Sequence, residues 1–218
     1  MIREKREVDK LNKTLIGLVL AGGQSRRMGQ DKALMRYQGA TFIEHASSLL
    51  KAAGCDEVLI SRNAASFLVD IIEDAGPLGG VHAAVDALCN ANNGSDTLIE
   101  LLVLPVDMPQ MTPQLLKLLV SAGRESQRSV YVKKRFLPFY LPVSQGIAAR
   151  LTHYLVDQNK RRVVGFLDSI DAVALEEANL ECAKSANGEQ GKQSEKITLV
   201  DEAHWLNVNT PGDWPDDK

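Results

Sequence analysis

The stretch LVLAGGQSRRMGQDKAL, from Leu18 to Leu34, combines residue types suited to holding a phosphorylated ligand. Two glycines, Gly22 and Gly23, follow an apolar run, and glycine lets main-chain amides approach a ligand where a Cβ would obstruct it. Three cations follow closely: Arg26, Arg27 and Lys32. Guanidinium and ammonium groups together can bind several phosphate oxygens. The stretch therefore predicts a phosphate-binding turn, with a solvated basic loop as the alternative.

Two common phosphate-binding motifs do not fit this stretch. A Walker P-loop reads G-x-x-x-x-G-K-[ST], whereas Gln30 and Asp31 follow Gly29. The dinucleotide fingerprint G-x-G-x-x-G is absent. The turn is therefore expected to bind phosphate in some other way, at the end of a buried strand.

A carboxylate follows the longest apolar run, Leu98 to Pro105. If that run is a strand, Asp107 lies at the carboxyl edge of the sheet, where ligands of α/β proteins bind. Magnesium prefers one or two carboxylates together with phosphate oxygens and water. Asp107 is therefore a candidate magnesium ligand, and a turn-forming or helix-capping residue is the alternative.

The elements that would position these residues alternate between strand and helix. Short apolar runs predict strands at Leu15 to Leu20, Val58 to Ser61, Phe67 to Ile72 and Leu98 to Pro105. Helical spacing predicts helices at Thr41 to Ala53, Val81 to Leu88 and Pro113 to about Ser121. Later segments predict two short strands within Tyr131 to Pro142 and a helix over Ser144 to Val156. This alternation predicts a three-layer, Rossmann-like α/β fold with a mostly parallel central sheet.

Length and composition indicate one soluble domain. The chain has 218 residues and a formal net charge of -3, which gives no general attraction to nucleic acid or membrane. We expect a flexible extension over residues 1–13, a single domain over 14–218 and a mobile polar insertion over 176–196. Three scattered cysteines form no metal-binding pattern: Cys55, Cys89 and Cys182. The charged start is unlike a signal peptide, so a cytoplasmic location is expected.

The stretch LAGGQSRRMGQDKAL resembles the signature of the nucleotidyltransferases that include the molybdenum cofactor guanylyltransferases. Four further motifs occur in the order that this family shows: IEDAGPLGG (72–80), LPVDMP (104–109), NKRRV (159–163) and LNVNTP (206–211). The resemblance covers nearly the whole chain except the extension and the insertion. It implies transfer of GMP from Mg-GTP to molybdopterin, with release of pyrophosphate.

The resemblance also implies roles for individual residues. Main-chain contacts to the nucleotide fall on Leu20, Ala21 and Gly22, with Gly23 beside them. Lys32, helped by Arg26 or Arg27, would neutralise charge on the departing pyrophosphate. Asp107 corresponds to the family's Mg²⁺ ligand.

Further matched positions are polar and lie later in the chain. Nucleotide contacts are implied for Ser61 or Asn63 and for Asp74, although serine stands at position 61 where the family often has asparagine. Arg161 and Arg162 could receive the molybdopterin phosphate, or could be a solvated surface pair. Asn207 and Asn209 would leave the same face of a strand. Leu137 is apolar where the family often has a polar residue, which weakens the transfer of acceptor-side details.

Other readings of the sequence stay open. Cytidine transfer to molybdopterin and nucleotidyl transfer to a sugar phosphate are possible on the same fold, because no spacing argument derives guanine. A non-catalytic nucleotide-binding protein is an alternative of another class. By family analogy, proteins of cofactor biosynthesis or molybdoenzyme maturation are candidate partners.

Overall fold

The computed structural model describes residues 12–22, 31–93, 95–177 and 202–208. The first eleven residues of the predicted extension lie outside this range, and so do residues 178–196 of the predicted insertion. Lys13, which we assigned to the extension, is instead the first residue of the first strand.

The described residues form a six-stranded sheet in the order β4-β1-β5-β7-β6-β8. Its strands are β1 (Lys13–Leu20), β4 (Glu57–Ser61), β5 (Leu98–Pro105), β6 (Val130–Val132), β7 (Phe139–Pro142) and β8 (Val173–Leu175). The pairs β4–β1, β1–β5 and β6–β8 are parallel, and β7 is antiparallel to both of its neighbours. A separate two-stranded hairpin joins β2 (Arg36–Tyr37) and β3 (Ala40–Thr41).

Five α-helices cover the two faces of the sheet within the described residues. They are α1 (Phe42–Ala53), α2 (Pro77–Ala91), α3 (Pro113–Ser126), α4 (Gln145–Thr152) and α5 (Val163–Ser169). Helices α1 and α3 pack with Val19 and Leu102 in one apolar cluster. Helices α2, α4 and α5 pack with Leu18 and Leu101 in a second cluster. Because successive strand residues point to opposite faces, these two clusters make the three layers that the sequence predicts.

Helix α1 shows how local sequence sets the element boundaries. Thr41 and Glu44 form a capping box, in which the Thr41 hydroxyl accepts from the Glu44 amide and the Glu44 carboxylate accepts from the Thr41 amide. Gly54 ends the helix at a φ of 105°, in the left-handed region that favours glycine. Helix α3 begins similarly at Thr112, whose hydroxyl accepts from the Leu115 amide.

The prediction of a strand over Phe67 to Ile72 is wrong. Only Leu68 forms a bridge, to Ser61, and the Asp70 amide donates to the Asn63 side chain rather than to a strand. Val69 and Ile71 are exposed, so the apolar run does not mark a buried segment.

Other boundaries also differ from the sequence-based expectation. Helix α3 continues to Ser126, five residues past the predicted end. The predicted helix over Ser144 to Val156 divides into α4 and a π-helical turn at His153–Asp157. Helix α5, strand β8 and the β2–β3 hairpin were not predicted from the sequence. No helix in the described ranges is both long and apolar enough to cross a membrane.

Candidate active site

A cleft of about 1410 Å³ lies at the carboxyl ends of β1, β4 and β5. Its walls include residues from the ends of all three strands and from the β6–β7 turn. Pockets for one small molecule usually have volumes of ~300–1,000 Å³. The cleft is therefore large enough for two substrates side by side.

Lys32 and Asp107 meet in this cleft. The Lys32 ammonium lies 3.1 Å from the Asp107 carboxylate, and the two side chains are 11% and 24% exposed. Lys32 begins a single 3₁₀ turn, Lys32–Leu34, and Asp107 lies just beyond β5. The resemblance in the sequence implies a triphosphate contact for Lys32 and a Mg²⁺ ligand at Asp107, and the structure brings the two side chains into direct contact.

Asp31 holds the turn that carries Lys32. Its carboxylate accepts from the Ala33 amide at 3.1 Å and forms an ion pair with Arg62, which follows β4. The Arg62 guanidinium also lies 5.5 Å from the ring centre of Phe67. These contacts connect the turn that carries Lys32 to the residues that follow β4. The position of Lys32 therefore depends on the end of β4 as well as on the chain that leads from β1.

The end of β1 opens directly into the cleft. The Ala21 amide donates to the Ser61 carbonyl at 2.9 Å, and the Leu20 carbonyl accepts from the Val106 amide at 3.0 Å. Gly22 is exposed and lines the cleft. A Cβ at Gly22 would lie 3.9 Å from the nearest described atom, the Ser61 carbonyl oxygen, so packing there does not demand glycine. Close approach of a ligand at Gly22 stays a prediction from the sequence.

A polar wall follows β4. It contains four residues that line the cleft, of which Ser61 is buried: Ser61, Asn63, Asp70 and Asp74. The Ser61 hydroxyl donates to Asp70 at 3.4 Å, and the Asn63 side chain accepts from the Asp70 amide at 2.9 Å. The sequence pointed to Asp74 and not to Asp70, although Asp70 is the carboxylate that contacts both Ser61 and Asn63. Asp74 has a φ of 51°, and its carbonyl accepts from Arg161.

The glycine pair of GPLGG serves close packing against this wall. A Cβ at Gly80 would lie 2.2 Å from the Ser61 hydroxyl, and one at Gly79 would lie 2.9 Å from an Asp70 carboxylate oxygen. Both distances are too short for real contacts. The first turn of α2 can therefore approach the polar wall only because these positions lack side chains.

The β6–β7 turn supplies cleft residues that the sequence analysis missed as site residues. Lys134 and Arg135 line the cleft together with Leu137 and Trp205. The Arg135 guanidinium lies 5.2 Å from the ring centre of Trp205 and donates to Glu177 at 2.6 Å. No sequence signal identifies these residues, because only the direction of β7 brings the turn to this edge.

The predicted acceptor-side residues differ in where the structure places them. Neither Arg161 nor Arg162 is among the residues that line the cleft. Arg161 donates to the carbonyls of Leu155, Lys160 and Asp74, and Arg162 precedes α5 as its N-cap. Their contact with an acceptor phosphate stays a prediction that the cleft does not favour.

Asn207 lines the cleft in an irregular segment after a 3₁₀ turn at Glu202–Trp205, rather than in the strand we expected. The Val208 amide donates to the Asp107 carbonyl at 3.0 Å and ties this segment to the site. Gly23, Arg26, Arg27 and Asn209 lie outside the described residues.

The carboxylate arrangement fits a magnesium ion only when substrate completes its ligands. Within the described ranges, no three His, Cys, Asp or Glu side chains converge into a metal-binding group. Asp107 offers a partly exposed carboxylate, and Mg²⁺ commonly takes one or two carboxylates plus phosphate oxygens and water. The donor set is therefore compatible with a metal carried in by a triphosphate.

A polar cleft at the carboxyl ends of parallel strands, with a glycine just after the first of them, is the architecture of a nucleotide-binding α/β protein. Residues 17–172, well over half of the chain, match the family described as a MobA-like NTP transferase domain. The chain belongs to this family of nucleotidyltransferases, and both the fold class and the resemblance noted in the sequence are confirmed.

Curated relatives match over most of the chain. A molybdenum cofactor guanylyltransferase from Xanthomonas euvesicatoria is 31% identical over 206 residues, covering 94% of each chain. A probable molybdenum cofactor guanylyltransferase from Pelotomaculum thermopropionicum is 30% identical and covers 90% of this chain and 88% of its own. Among solved structures, molybdopterin-guanine dinucleotide biosynthesis protein A from Archaeoglobus fulgidus has a TM-score of 0.65. It is 21% identical, covers 91% of this chain and 94% of its own, and supports the fold alone.

Proposed function

We propose that this protein transfers GMP from Mg-GTP to molybdopterin, forming the molybdopterin guanine dinucleotide cofactor and pyrophosphate. The observation that carries the proposal is the Lys32–Asp107 pair in a cleft at the ends of β1 and β5. Two relatives that match over most of their length are named as a molybdenum cofactor guanylyltransferase and a probable one, which supports this choice of substrates.

The reaction is an in-line displacement at phosphorus. A phosphate oxygen of the acceptor forms a bond to the α-phosphorus of GTP, and the bond from that phosphorus to the bridging oxygen of the β-phosphate breaks. The electron pair leaves with pyrophosphate. No covalent protein intermediate is needed, so the protein contributes alignment and charge neutralisation.

Lys32 and Asp107 have complementary roles in this proposal. The Lys32 ammonium neutralises negative charge that builds up on the departing pyrophosphate. The Asp107 carboxylate would hold Mg²⁺ against the triphosphate, and a bound Mg²⁺ supplies positive charge that stabilises the phosphoryl oxygens. Since Lys32 and Asp107 are in contact, a triphosphate that draws the ammonium away leaves the carboxylate without its counterion.

The strand-end main chain and the polar wall would hold the rest of the nucleotide. Gly22 lies at the end of β1, where phosphate oxygens can approach its main chain closely, whereas the Ala21 amide is already bonded to the Ser61 carbonyl. Asn63 and Asp70 form a hydrogen-bonding surface beyond β4 that suits a base or ribose, and the buried Ser61 hydroxyl donates to Asp70. We assign the carboxylate contact to Asp70 rather than to Asp74, because Asp70 is bonded to the other two residues.

The test is a substrate screen with the full-length protein. Purified protein is incubated with Mg²⁺, molybdopterin and either GTP or CTP, and the products are identified by mass spectrometry. We expect the guanine dinucleotide and an equal amount of pyrophosphate with GTP, and far less product with CTP. Efficient reaction with CTP would assign a cytidylyltransferase, and turnover only with a sugar phosphate would assign another acceptor. Nucleotide binding with no transfer to any acceptor would indicate a non-catalytic protein.

Protein partners and location follow only from analogy. Molybdopterin is a labile molecule, so exchange with proteins of cofactor biosynthesis or molybdoenzyme maturation is part of the proposal. A cytoplasmic location fits the same role.

A further inference from the structure

The β6–β7 turn reaches the cleft because of the direction of β7. Strands β1, β4 and β5 are parallel, and β7 runs antiparallel to β5 with Val103 opposite Phe139. The start of β7 therefore lies at the same edge of the sheet as the end of β5. Since β6 is antiparallel to β7, the turn between them, residues 133–138, also lies there. This turn is on the far side of β5 from β1 and β4, which carry the proposed nucleotide contacts.

The described cations that line the cleft differ in whether they form an ion pair with a described carboxylate. Four described cations line it: Lys32, Arg62, Lys134 and Arg135. Three of them have carboxylate partners, which are Asp107 for Lys32, Asp31 for Arg62 and Glu177 for Arg135. Lys134 forms no hydrogen bond or ion pair with any described residue. It is therefore the described cleft cation whose charge is available to an incoming anion without breaking an existing pair.

Contacts made by Arg135, the residue after Lys134, hold the β6–β7 turn in place. Arg135 is anchored between the Trp205 ring and the Glu177 carboxylate. Lys134 and Phe136 have φ values of 69° and 60°, in the left-handed region that non-glycine residues seldom adopt. Local preference of these residues does not explain such a turn, so its tertiary contacts must hold it. The anchoring of Arg135 keeps the adjacent Lys134 at the wall of the cleft.

We propose that Lys134 binds the phosphate group of the acceptor, a phosphomonoester dianion, and holds it beside the α-phosphate of the nucleotide. This inference rests on the proposed nucleotidyl transfer. A phosphomonoester carries a charge of about −1.5 to −2 near neutral pH, and it must approach another polyanion to react. Lys32 is committed to Asp107 and the nucleotide side, whereas Lys134 lies across β5 on the acceptor side. Arg161 and Arg162, the cations that the sequence suggested for this role, do not line the cleft.

The chain offers a matched control in the adjacent residue. Lys133 is 52% exposed, forms an ion pair with Glu176 and does not line the cleft. Lys133→Gln and Lys134→Gln therefore remove the same charge from the same turn, at positions that differ in access to the cleft. Lys134→Arg restores a cation at the tested position.

The experiment measures steady-state kinetics of dinucleotide formation with each substrate varied. Lys134→Gln is expected to raise the KM for molybdopterin about tenfold, the effect of losing ~1.4 kcal/mol of binding, with the KM for GTP unchanged. Lys134→Arg should recover most of the loss, and Lys133→Gln should behave as wild type. Thermal unfolding of each variant checks that the fold is retained.

Two outcomes would overturn the inference while leaving the proposed function standing. In the first, wild type forms the dinucleotide and Lys134→Gln has an unchanged KM for molybdopterin. In the second, Lys134→Gln and Lys133→Gln raise that KM equally, which would indicate general attraction by surface charge. If wild type forms no dinucleotide with molybdopterin, the proposed function fails and the inference fails with it.

Discussion

The two ends of β5 each carry a carboxylate paired with a cation, and the two pairs are built differently. Near the start of the strand, Glu100 is 6% exposed and accepts from the Arg124 guanidinium at 2.6, 2.9 and 3.2 Å. The Tyr140 hydroxyl adds a fourth contact at 2.9 Å. Beyond the other end, Asp107 is 24% exposed and accepts from Lys32 at 3.1 Å in the cleft.

The difference separates a structural ion pair from one available to a ligand. Both oxygens of Glu100 are satisfied by the protein, so nothing further can bind there without breaking the network. Asp107 keeps solvent access, and its partner can turn to a competing anion. The carboxyl end of a parallel sheet is also where α/β proteins bind ligands, whereas the amino end is not. Burial and satisfied hydrogen bonds, rather than charge alone, therefore distinguish the two pairs.

The largest expected effect comes from breaking the cleft pair. Lys32→Ala and Asp107→Ala should each lower kcat/KM for GMP transfer by about a thousandfold or more, because each removes charge stabilisation at the reacting phosphates. Lys32→Ala leaves Asp107, which is 24% exposed and can be solvated, so the unfolding midpoint of that variant should change little. Asp107→Ala removes a counterion of Lys32, which is 11% exposed, and should lower the midpoint moderately. Pyrophosphate release measures the first quantity, and urea unfolding measures the second.

Normal turnover with lost stability would make the Lys32–Asp107 pair equivalent to the structural Glu100–Arg124 pair. Wild-type turnover by either variant would remove that residue from the mechanism. A large loss of stability with normal turnover per folded molecule would show that the Lys32–Asp107 pair serves folding, as Glu100–Arg124 does.

The sequence predicted which residues meet at the ends of β1 and β5 better than it predicted the cleft residues of the β6–β7 turn. Lys32 and Asp107 follow apolar strands whose parallel direction can be inferred, so their meeting at one edge was predictable. Lys134 and Arg135 lie in a turn whose position depends on β7 being antiparallel, and no residue pattern reveals that direction. Asp70 was missed because two aspartates precede Gly76, and spacing alone does not say which carboxylate turns toward Ser61.

The fold shows the same division. Buried strands and capped helices carry local signals, such as the apolar run of β5 and the Thr41–Glu44 capping box. The segment Phe67 to Ile72 has a similar apolar run but exposes Val69 and Ile71. Whether a segment is buried depends on the other parts of the chain that pack against it, and the segment's own sequence does not give that information.

Removing Arg124 and removing Glu100 should lower the free energy of unfolding by different amounts. Arg124→Met leaves Glu100 buried without its counterion, and we expect a loss of about 3 kcal/mol in the free energy of unfolding. Glu100→Gln leaves Arg124, which is 42% exposed and can be solvated, so a loss of about 1 kcal/mol is expected. Urea unfolding measures both values.

Turnover per folded molecule provides the control for these variants, and it should stay at the wild-type level. Equal losses from both substitutions would mean that solvent does not reach Arg124 and that the pair is more buried than its geometry indicates. Loss of turnover without loss of stability would reverse the assignment of the two ends of β5.

An effect that vanishes near neutral pH concerns the thiol of Cys55, which lies near the Glu100–Arg124 pair. Burial, with a smaller contribution from Asp56, raises the pKa of Cys55 from 9.0 to about 12. Below pH 9 the thiol is neutral in both folded and unfolded chains, so it gives no pH dependence. Between pH 9 and 12 the unfolded chain loses the proton while the folded chain keeps it, and stability falls as pH rises.

Cys55→Ala should remove this contribution, which is at most about 1.4 kcal/mol per pH unit. Urea midpoints measured under reducing conditions from about pH 8 to about pH 11 should therefore fall less steeply in the variant than in wild type. Tyr140, whose pKa is also raised by burial and by Glu100, keeps part of the slope in both proteins. An identical slope in the two proteins would mean that the Cys55 thiolate is tolerated in the folded chain. The structural end of β5 would then be as open to charge and water as the cleft, and the contrast between the two ends would be lost.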